Sequence, residues 1–162
     1  MHSQNEMKQM VLPLLNRRGK TYQKFLKTFA RKAKAEETIV TRTSDGKETI
    51  NRAYPGDYIV RNQTKAGEEY VLTPSKFKKR YSFIKRSKGG FSEYQPTGRI
   101  RAIKVTPSFF KKNNLGSPFY FIADWGEKMV VKQNDYLACP VGGNEVYRIA
   151  RKEFSETYKM ER

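Results

Sequence analysis

Apolar and polar positions follow two different periods along this chain. Between residues 20 and 35, apolar side chains recur every three to four positions, which is the spacing of one face of an amphipathic helix. We therefore predict a basic N-terminal helix over 20–35 whose apolar stripe packs on the rest of the protein. The stripe consists of Tyr22, Phe25, Leu26, Phe29, Ala30 and Ala33.

The lysines and arginines of this predicted helix have three interpretations. They form a solvated face, they lie against phosphates, or they belong to a helix at a membrane surface or a target peptide. Upstream, Met7, Met10, Val11 and Leu14 also have helical spacing, but Pro13 limits the helix predicted there to a short one.

Alternating patterns and turn residues predict two similar β-units. In the first, Asp45-Gly46 is a hairpin turn signal and Pro55-Gly56 a second turn. The predicted strands of the first unit are 38–42, 48–52, 58–61 and 69–73, followed by a helix over 74–81. Those of the second are 119–123, 128–132, 136–139 and 146–150, followed by a helix over 151–158.

The two β-units are copies of one sequence pattern. Both read Asp-Tyr-aliphatic, a loop with glycine, Tyr-x-aliphatic and Phe-x-x-x-Tyr. Phe77 and Tyr81 recur 77 positions later as Phe154 and Tyr158, while Asp57 recurs after 78 as Asp135. We predict a β-rich α+β fold: two diverged tandem copies of a four-strand meander plus short helix, each resembling a small β-barrel or half-barrel. The predicted segments are 1–36 (basic and helical), 37–82 (first copy), 83–117 (basic connector with a strand at 99–105) and 118–159 (second copy).

Composition indicates the kind of partner. The 162 residues carry a net charge of +17, which favours a polyanion such as nucleic acid, an anionic membrane or an acidic protein. The single cysteine, Cys139, excludes an internal disulfide and predicts a buried side chain in a reducing compartment. No apolar run has the length of a membrane span, and no signal peptide is evident. We expect a cytoplasmic protein.

Charge is what distinguishes the two copies. Residues 38–81 have a net charge of +4, and residues 119–158 have −1. The helix over 74–81 carries four cations where the second copy has Glu153, Ser155, Glu156 and Thr157, which we expect to be equally exposed. Since the fold does not need these cations, we predict that they contact phosphates.

The predicted nucleic-acid contacts extend from that helix into the connector and the N-terminal segment. The rings of Phe91 and Tyr94 either stack on unpaired bases or fold back into the core. Trp125, at a predicted hairpin tip, either contacts a partner or packs against its neighbours. The predicted contacts are Lys24, Lys27, Arg31, Lys76, Lys78, Lys79, Arg80, Lys85, Arg86, Lys88, Phe91, Tyr94, Arg99 and Arg101, with Trp125 as a candidate aromatic contact.

Catalytic patterns are nearly absent. His2 is the only histidine, and no glycine-rich phosphate loop of recognised spacing occurs. Asp57 and Asp135 recur at a turn-to-strand junction, so we expect them to bond the turn backbone. We predict a protein that is not an enzyme and that needs neither a cofactor nor a metal.

One stretch resembles a known kind of module. Pro55-Gly56-Asp57-Tyr58-Ile59-Val60, with Tyr70, Pro74, Phe77 and Tyr81 after it, is similar to a small β-module of uncharacterised phage and bacterial proteins. The resemblance covers about 30 residues of the first copy. In the second copy Gln133-Asn134 replaces Pro-Gly, and Arg151 replaces Pro. The resemblance implies an autonomous β-unit of phage or mobile-element origin and implies no activity.

Two functions therefore follow as hypotheses. The first is non-enzymatic binding of nucleic acid, RNA or single-stranded DNA ahead of duplex DNA, through backbone electrostatics and aromatic stacking. The alternative is a protein-interaction module that binds an acidic partner or assembles with itself. Aromatic residues interleaved with cations favour the first.

Overall fold

The computed structural model describes residues 1–161, which form the predicted β-rich α+β fold, with an N-terminal helix at residues 4–18 instead of 20–35. Its helices are α1 (Gln4–Arg18), α2 (Pro74–Arg80), α3 (Pro107–Lys112) and α4 (Arg151–Thr157). Its strands are β1 (Lys20–Lys24), β2 (Thr28–Lys32), β3 (Glu37–Thr43), β4 (Gly46–Ala53), β5 (Tyr58–Asn62), β6 (Glu69–Leu72), β7 (Tyr81–Arg86), β8 (Ser92–Pro96), β9 (Arg99–Lys104), β10 (Phe119–Ile122), β11 (Lys128–Val131), β12 (Tyr136–Pro140), β13 (Tyr147–Ile149) and β14 (Tyr158–Met160).

The chain forms two compact units. Unit 1 comprises residues 1–22, 99–155 and 160–161, and unit 2 comprises residues 23–98 and 156–159. Each unit draws on more than one of the segments predicted from the sequence, because 1–36 and 83–117 are both divided between the two units.

The N-terminal helix is α1, and its first turn is closed by a capping box. The Ser3 hydroxyl accepts a hydrogen bond from the Glu6 amide at 3.0 Å, and the Glu6 carboxylate accepts one from the Ser3 amide at 3.1 Å. Met7, Val11 and Leu15 are fully buried at i, i+4, i+8 spacing. Pro13 lies inside the helix with an exposed side chain, so α1 is longer than predicted.

The helix predicted over 20–35 is wrong, because this segment forms β1 and β2. Strand β2 lies between β5 and β8, so its alternate residues Thr28 and Ala30 are buried, while Phe25 is 43% exposed between the strands. As a strand, β2 pairs with both β5 and β8 and buries Thr28 and Ala30 between them, and this tertiary context overrides the helix-like spacing of the apolar residues.

Unit 2 is built on an open sheet with the order β6-β5-β2-β8-β7. One side of the sheet packs against α2 through a core of Ala30, Val60, Leu72, Phe77 and Tyr81. A second core joins residues of the sheet to the β3–β4 hairpin and consists of Ala33, Ile39, Ala53 and Ile59. The predicted strands of the first copy thus pair as two hairpins. Because the sheet has free edges at β6 and β7, the described strands form no closed barrel, which was one of the two predicted shapes.

The second five-stranded sheet has the corresponding order β13-β12-β9-β1-β14, and its strands β13, β12 and β9 lie in unit 1 together with the β10–β11 hairpin. Cys139 is 5% exposed, which confirms its predicted burial. The buried core is Met7, Val11, Leu15, Val105, Phe109, Phe110, Phe119, Phe121, Ala123, Met129, Val131, Leu137, Cys139 and Val146.

The duplication is confirmed by matching aromatic contacts and turn hydrogen bonds. Phe77 stacks on Tyr58 with ring centroids 3.9 Å apart, and Phe154 stacks on Tyr136 at 3.6 Å. The carboxylate of Asp57 accepts from the amide three residues upstream at 3.0 Å, and that of Asp135 does the same at 2.8 Å. Both carboxylates therefore hold turns, as predicted.

Each repeat begins earlier than the sequence pattern indicated. The sheet orders match β1 to β8 and β2 to β9, and at a constant offset of 72 residues Tyr22 corresponds to Tyr94 and Ala30 to Ala102. Tyr22 and Tyr94 each meet the phenylalanine of a short helix edge-on at 4.8 Å. The first strand of the second repeat, β8, therefore completes the sheet of unit 2, and the first strand of the first repeat, β1, completes that of unit 1.

Candidate nucleic-acid interface

Helix α2 is held on the sheet of unit 2 by a single aromatic side chain. Thr73 caps its first turn, Pro74 follows, and Phe77 lies between the stacked ring of Tyr58 and the ring edge of Tyr94. Since Phe77 fixes the helix, the side chains of Lys78 and Lys79 point away from the sheet and are exposed.

Strand β7 continues directly from α2 and is an edge of the sheet. Its pairing with β8 shifts between Phe83 and Lys85, so Ile84 is the extra residue of a β-bulge. Beyond Tyr81 every side chain of β7 is exposed, including Phe83 at 59% and Lys85 at 71%. An edge strand that carries cations and a bulge is protected against pairing with another strand.

The loop after β7 presents a further cation. Gly89 and Gly90 both have positive φ, which glycine adopts without strain. The turn closes through hydrogen bonds from the Ser87 amide to the Phe91 carbonyl and from the Phe91 amide to the Lys88 carbonyl, at 2.9 and 3.2 Å. Lys88 is exposed on this turn.

These elements form one uninterrupted basic segment, which we call the α2–β7 cationic surface. Residues 76–88 hold seven cations and no acidic residue, whereas residues 153–162, which align with 76–85, contain three glutamates. Within residues 1–161, Lys78, Lys79, Arg86 and Lys88 make no ion pair, and Lys85 lies 3.8 Å from Glu93. The surface consists of Lys76, Lys78, Lys79, Arg80, Lys85, Arg86 and Lys88.

Two of the four residues of α4 that correspond to the cations of α2 are buried. Glu153 and Thr157 are each 3% exposed, so only Ser155 and the half-buried Glu156 take the places of cations on an accessible face. The prediction that all four counterparts are exposed is wrong, because α4 buries Glu153 and Thr157 as well as Phe154, whereas α2 buries only Phe77.

Lys24 has a structural role that its sequence context did not indicate. Its ammonium donates hydrogen bonds to the hydroxyls of Tyr70 and Tyr81 at 2.6 and 2.9 Å, and lies over the rings of both and of Tyr158. The half-buried Lys24 is therefore not displayed for a phosphate, in contrast to the exposed Lys27 that follows β1.

Three predicted arginine contacts are committed to partners within the protein. Arg31 forms two hydrogen bonds to Glu37, at 2.7 and 2.8 Å, and these hold the pKa of Glu37 below its ordinary value. Arg99 binds Glu161 in the same bidentate way. Arg101 donates to the carbonyls of Leu15 and Gly19 and thereby caps the C-terminus of α1.

The predicted stacking aromatics are occupied, and an unpredicted one is exposed. Arg61 and Arg31 lie over the ring of Phe91, with 4.3 and 5.6 Å from each guanidinium carbon to the ring centroid. Tyr94 packs against the core. The exposed ring in this part of the chain is that of Phe83 in β7. Its position two residues after Tyr81 is the one feature of the sequence that could have indicated it, and only if β7 had been recognised as an edge strand.

Trp125 belongs to unit 1, where it is 40% exposed at the turn between β10 and β11, as its hairpin position predicted. Net charge does not distinguish the units. Unit 2 holds eighteen Lys and Arg against nine Asp and Glu, and the described part of unit 1 holds fourteen against seven. The local density of cations in α2–β7, and not the total charge, singles out this surface.

No protein family, curated protein or solved structure matches this chain. Among residues 1–161, no helix is both long and apolar enough to cross a membrane, and no cluster of three or more His, Cys, Asp or Glu side chains has the arrangement of a metal site.

Proposed function

We propose that this protein binds nucleic acid without catalysis, through the α2–β7 cationic surface, and that RNA or single-stranded DNA is preferred over duplex. The supporting observation is the run of seven cations without an acidic residue, on a fold whose second copy has three glutamates in the aligned segment. A phage or mobile-element origin and a cytoplasmic location stay predictions.

Electrostatics supplies the mechanism. Exposed lysines and arginines displace counterions from a phosphate backbone, and the release of those ions drives binding with little dependence on sequence. Lys78, Lys79, Arg86 and Lys88 are exposed and make no ion pair within the described chain, so they meet phosphates without first breaking an internal one.

Helix stability accounts for part of the charge but not for all of it. Cations in the last turn of a helix interact favourably with its dipole, and Lys78 and Lys79 lie in the last turn of α2. However, α4 has no basic residue in its last turn and still forms, and Lys85, Arg86 and Lys88 lie beyond the helix. The excess over what the fold requires is what supports a polyanionic ligand.

The test combines a charge reversal with a matched control. Lys78→Glu/Lys79→Glu/Lys88→Glu should abolish binding to a labelled single strand of about twelve nucleotides, measured by fluorescence anisotropy. Arg151→Glu/Lys152→Glu reverses two exposed cations on α4 and should bind as the wild type does. Because all five side chains are exposed, both variants should melt within a few degrees of the wild type.

Salt dependence provides the second criterion. The logarithm of the wild-type association constant should fall with the logarithm of salt concentration, with a slope of about −0.7 per phosphate contacted on a single strand. Binding that is insensitive to salt, or unchanged affinity in the triple variant, would contradict the proposal and favour the acidic-protein partner.

A further inference from the structure

We infer that Phe83 is a stacking platform for an unpaired base, so that the α2–β7 cationic surface selects single-stranded over duplex nucleic acid. This inference rests on the proposed function. Its basis is the phenyl ring of Phe83, which is 59% exposed on an edge strand that also carries the exposed cations Lys85 and Arg86. A large exposed aromatic that shares a sheet face with the exposed cation Arg86 matches a ligand that offers both a ring face and phosphates.

The ring of Phe83 is held in place by its contact with Tyr94 of the neighbouring strand. Phe83 pairs with Tyr94 across the strands, and the two rings meet edge-on with centroids 5.8 Å apart. Tyr94 is in turn fixed against Phe77 at 4.8 Å. This chain of contacts anchors the Phe83 side chain to the core of unit 2, so less conformational entropy is lost when a base stacks on it.

The bulge determines which cations accompany the ring. Phe83 and Arg86 pair with Tyr94 and Ser92, which are two residues apart in β8 and therefore on one face of the sheet. Tyr94 contacts Phe77 of α2, so this is also the face on which α2 packs. Phe83 thus shares a face with the helix that carries Lys78 and Lys79, while Lys85 pairs with Glu93 on the other face.

Single strands are favoured because of what each ligand can present. Inside a duplex the bases are stacked on one another and only their edges are accessible, so except at its ends a duplex offers phosphates but no base face to Phe83. An unpaired base can leave its neighbours and stack on the ring while the flanking phosphates meet the cations. Cations alone do not distinguish the two ligands in this way.

The second repeat supplies a matched control position. At the same offset of 77 that relates Phe77 to Phe154, Phe83 corresponds to Met160, which is 52% exposed in the edge strand β14. Met160→Ala therefore removes an exposed apolar side chain from the equivalent strand without touching the proposed site.

Anisotropy titrations with two probes test the inference. The probes are a single strand of about twelve nucleotides and the blunt duplex that contains it. Phe83→Ala should weaken single-strand binding about ten- to hundredfold and change duplex binding less than about twofold. Phe83→Trp should retain single-strand binding, and Met160→Ala should leave both affinities unchanged.

A spectroscopic readout covers the case in which Phe83→Ala fails to fold. In the double variant Phe83→Trp/Trp125→Phe the only tryptophan is at position 83. Its fluorescence should be quenched by the single strand and not by inorganic polyphosphate, which has charge but no bases. Equal quenching by both ligands, or none by the single strand, would overturn the stacking role.

The two proposals fail in different ways. If the wild type binds the single strand with steep salt dependence and Phe83→Ala binds equally well, or loses affinity for both probes to the same extent, the stacking inference is wrong and the proposed function stands. If the wild type binds neither probe, both are wrong.

Discussion

The buried ion pair of unit 1 allows the sharpest test of how the two repeats diverged. The carboxylate of Asp135 accepts from the guanidinium of Arg148 at 2.9 Å and from the amides of Lys132 and Arg151 at 2.8 and 3.1 Å. The side chain of Arg148 has no exposure and that of Asp135 has 5%. In the first repeat the register places Val71 where Arg148 lies, so Asp57 holds its turn without a buried cation.

The burial of this ion pair determines how much the loss of Asp135 lowers the unfolding free energy. Asp135→Ala removes the carboxylate that accepts hydrogen bonds from the buried guanidinium of Arg148 and from two amides, a change that costs about 3–5 kcal/mol of unfolding free energy. Asp57→Ala removes one exposed hydrogen bond, from the amide of Tyr54, and should cost about 1 kcal/mol. Adding Arg148→Val to Asp135→Ala removes the buried charge and should recover part of the loss.

Urea denaturation followed by tryptophan fluorescence measures the loss of stability in unit 1. Trp125 is the only tryptophan and lies in unit 1, so its fluorescence reports the unfolding of the unit that contains Asp135. With a slope of roughly 2 kcal/mol per molar urea, Asp135→Ala should lower the midpoint by about 2 M. Circular dichroism serves for Asp57→Ala in unit 2. A midpoint shift below about 0.5 M for Asp135→Ala, or one no larger than that of Asp57→Ala, would refute the reasoning.

Two further predictions concern the exchange of β1 and β8 between the two sheets and the partly buried Tyr70. Cutting the chain between Gly89 and Gly90 separates β8 from the sheet of the first repeat and β1 from the sheet of the second. Neither fragment should therefore show native-like dispersion in a proton–nitrogen NMR spectrum until the two are mixed. A folded 1–89 fragment would contradict this. Burial raises the pKa of Tyr70 well above its ordinary value near 10, so the folded state holds this proton where the unfolded state releases it, and stability should fall as pH rises above about 10. Tyr70→Phe should flatten that fall in alkaline melting experiments, and an equally steep decline in this variant would show that Tyr70 is not the cause.

The duplicated core could be predicted from sequence because its signals are local. A turn that needs glycine or a carboxylate at one position, and a phenylalanine four residues before a tyrosine, recur at almost constant offsets and need no knowledge of distant partners. The exposure of Lys78 and Lys79 followed in the same way, since Phe77 had to face the sheet.

Which cations have internal hydrogen-bond partners could not be predicted, because those partners lie far away in the chain. Lys24 is enclosed by tyrosines 46 and 57 positions later, and Arg101 caps a helix that ends more than 80 positions earlier. A basic side chain is available to a ligand only if no internal acceptor lies within reach, and tertiary structure alone decides that.

Residues close together in the chain encode the repeated strands, their turns, the aromatic pairs and the excess of positive charge, so these features could be predicted. Contacts between distant residues make strands of residues 20–24 and 28–32, exchange β1 and β8 between the two sheets, and leave Phe83 exposed beside a bulge. The physical reason is that local periodicity states which side chains share a face, whereas backbone hydrogen bonding with distant strands selects the conformation in which that face is buried.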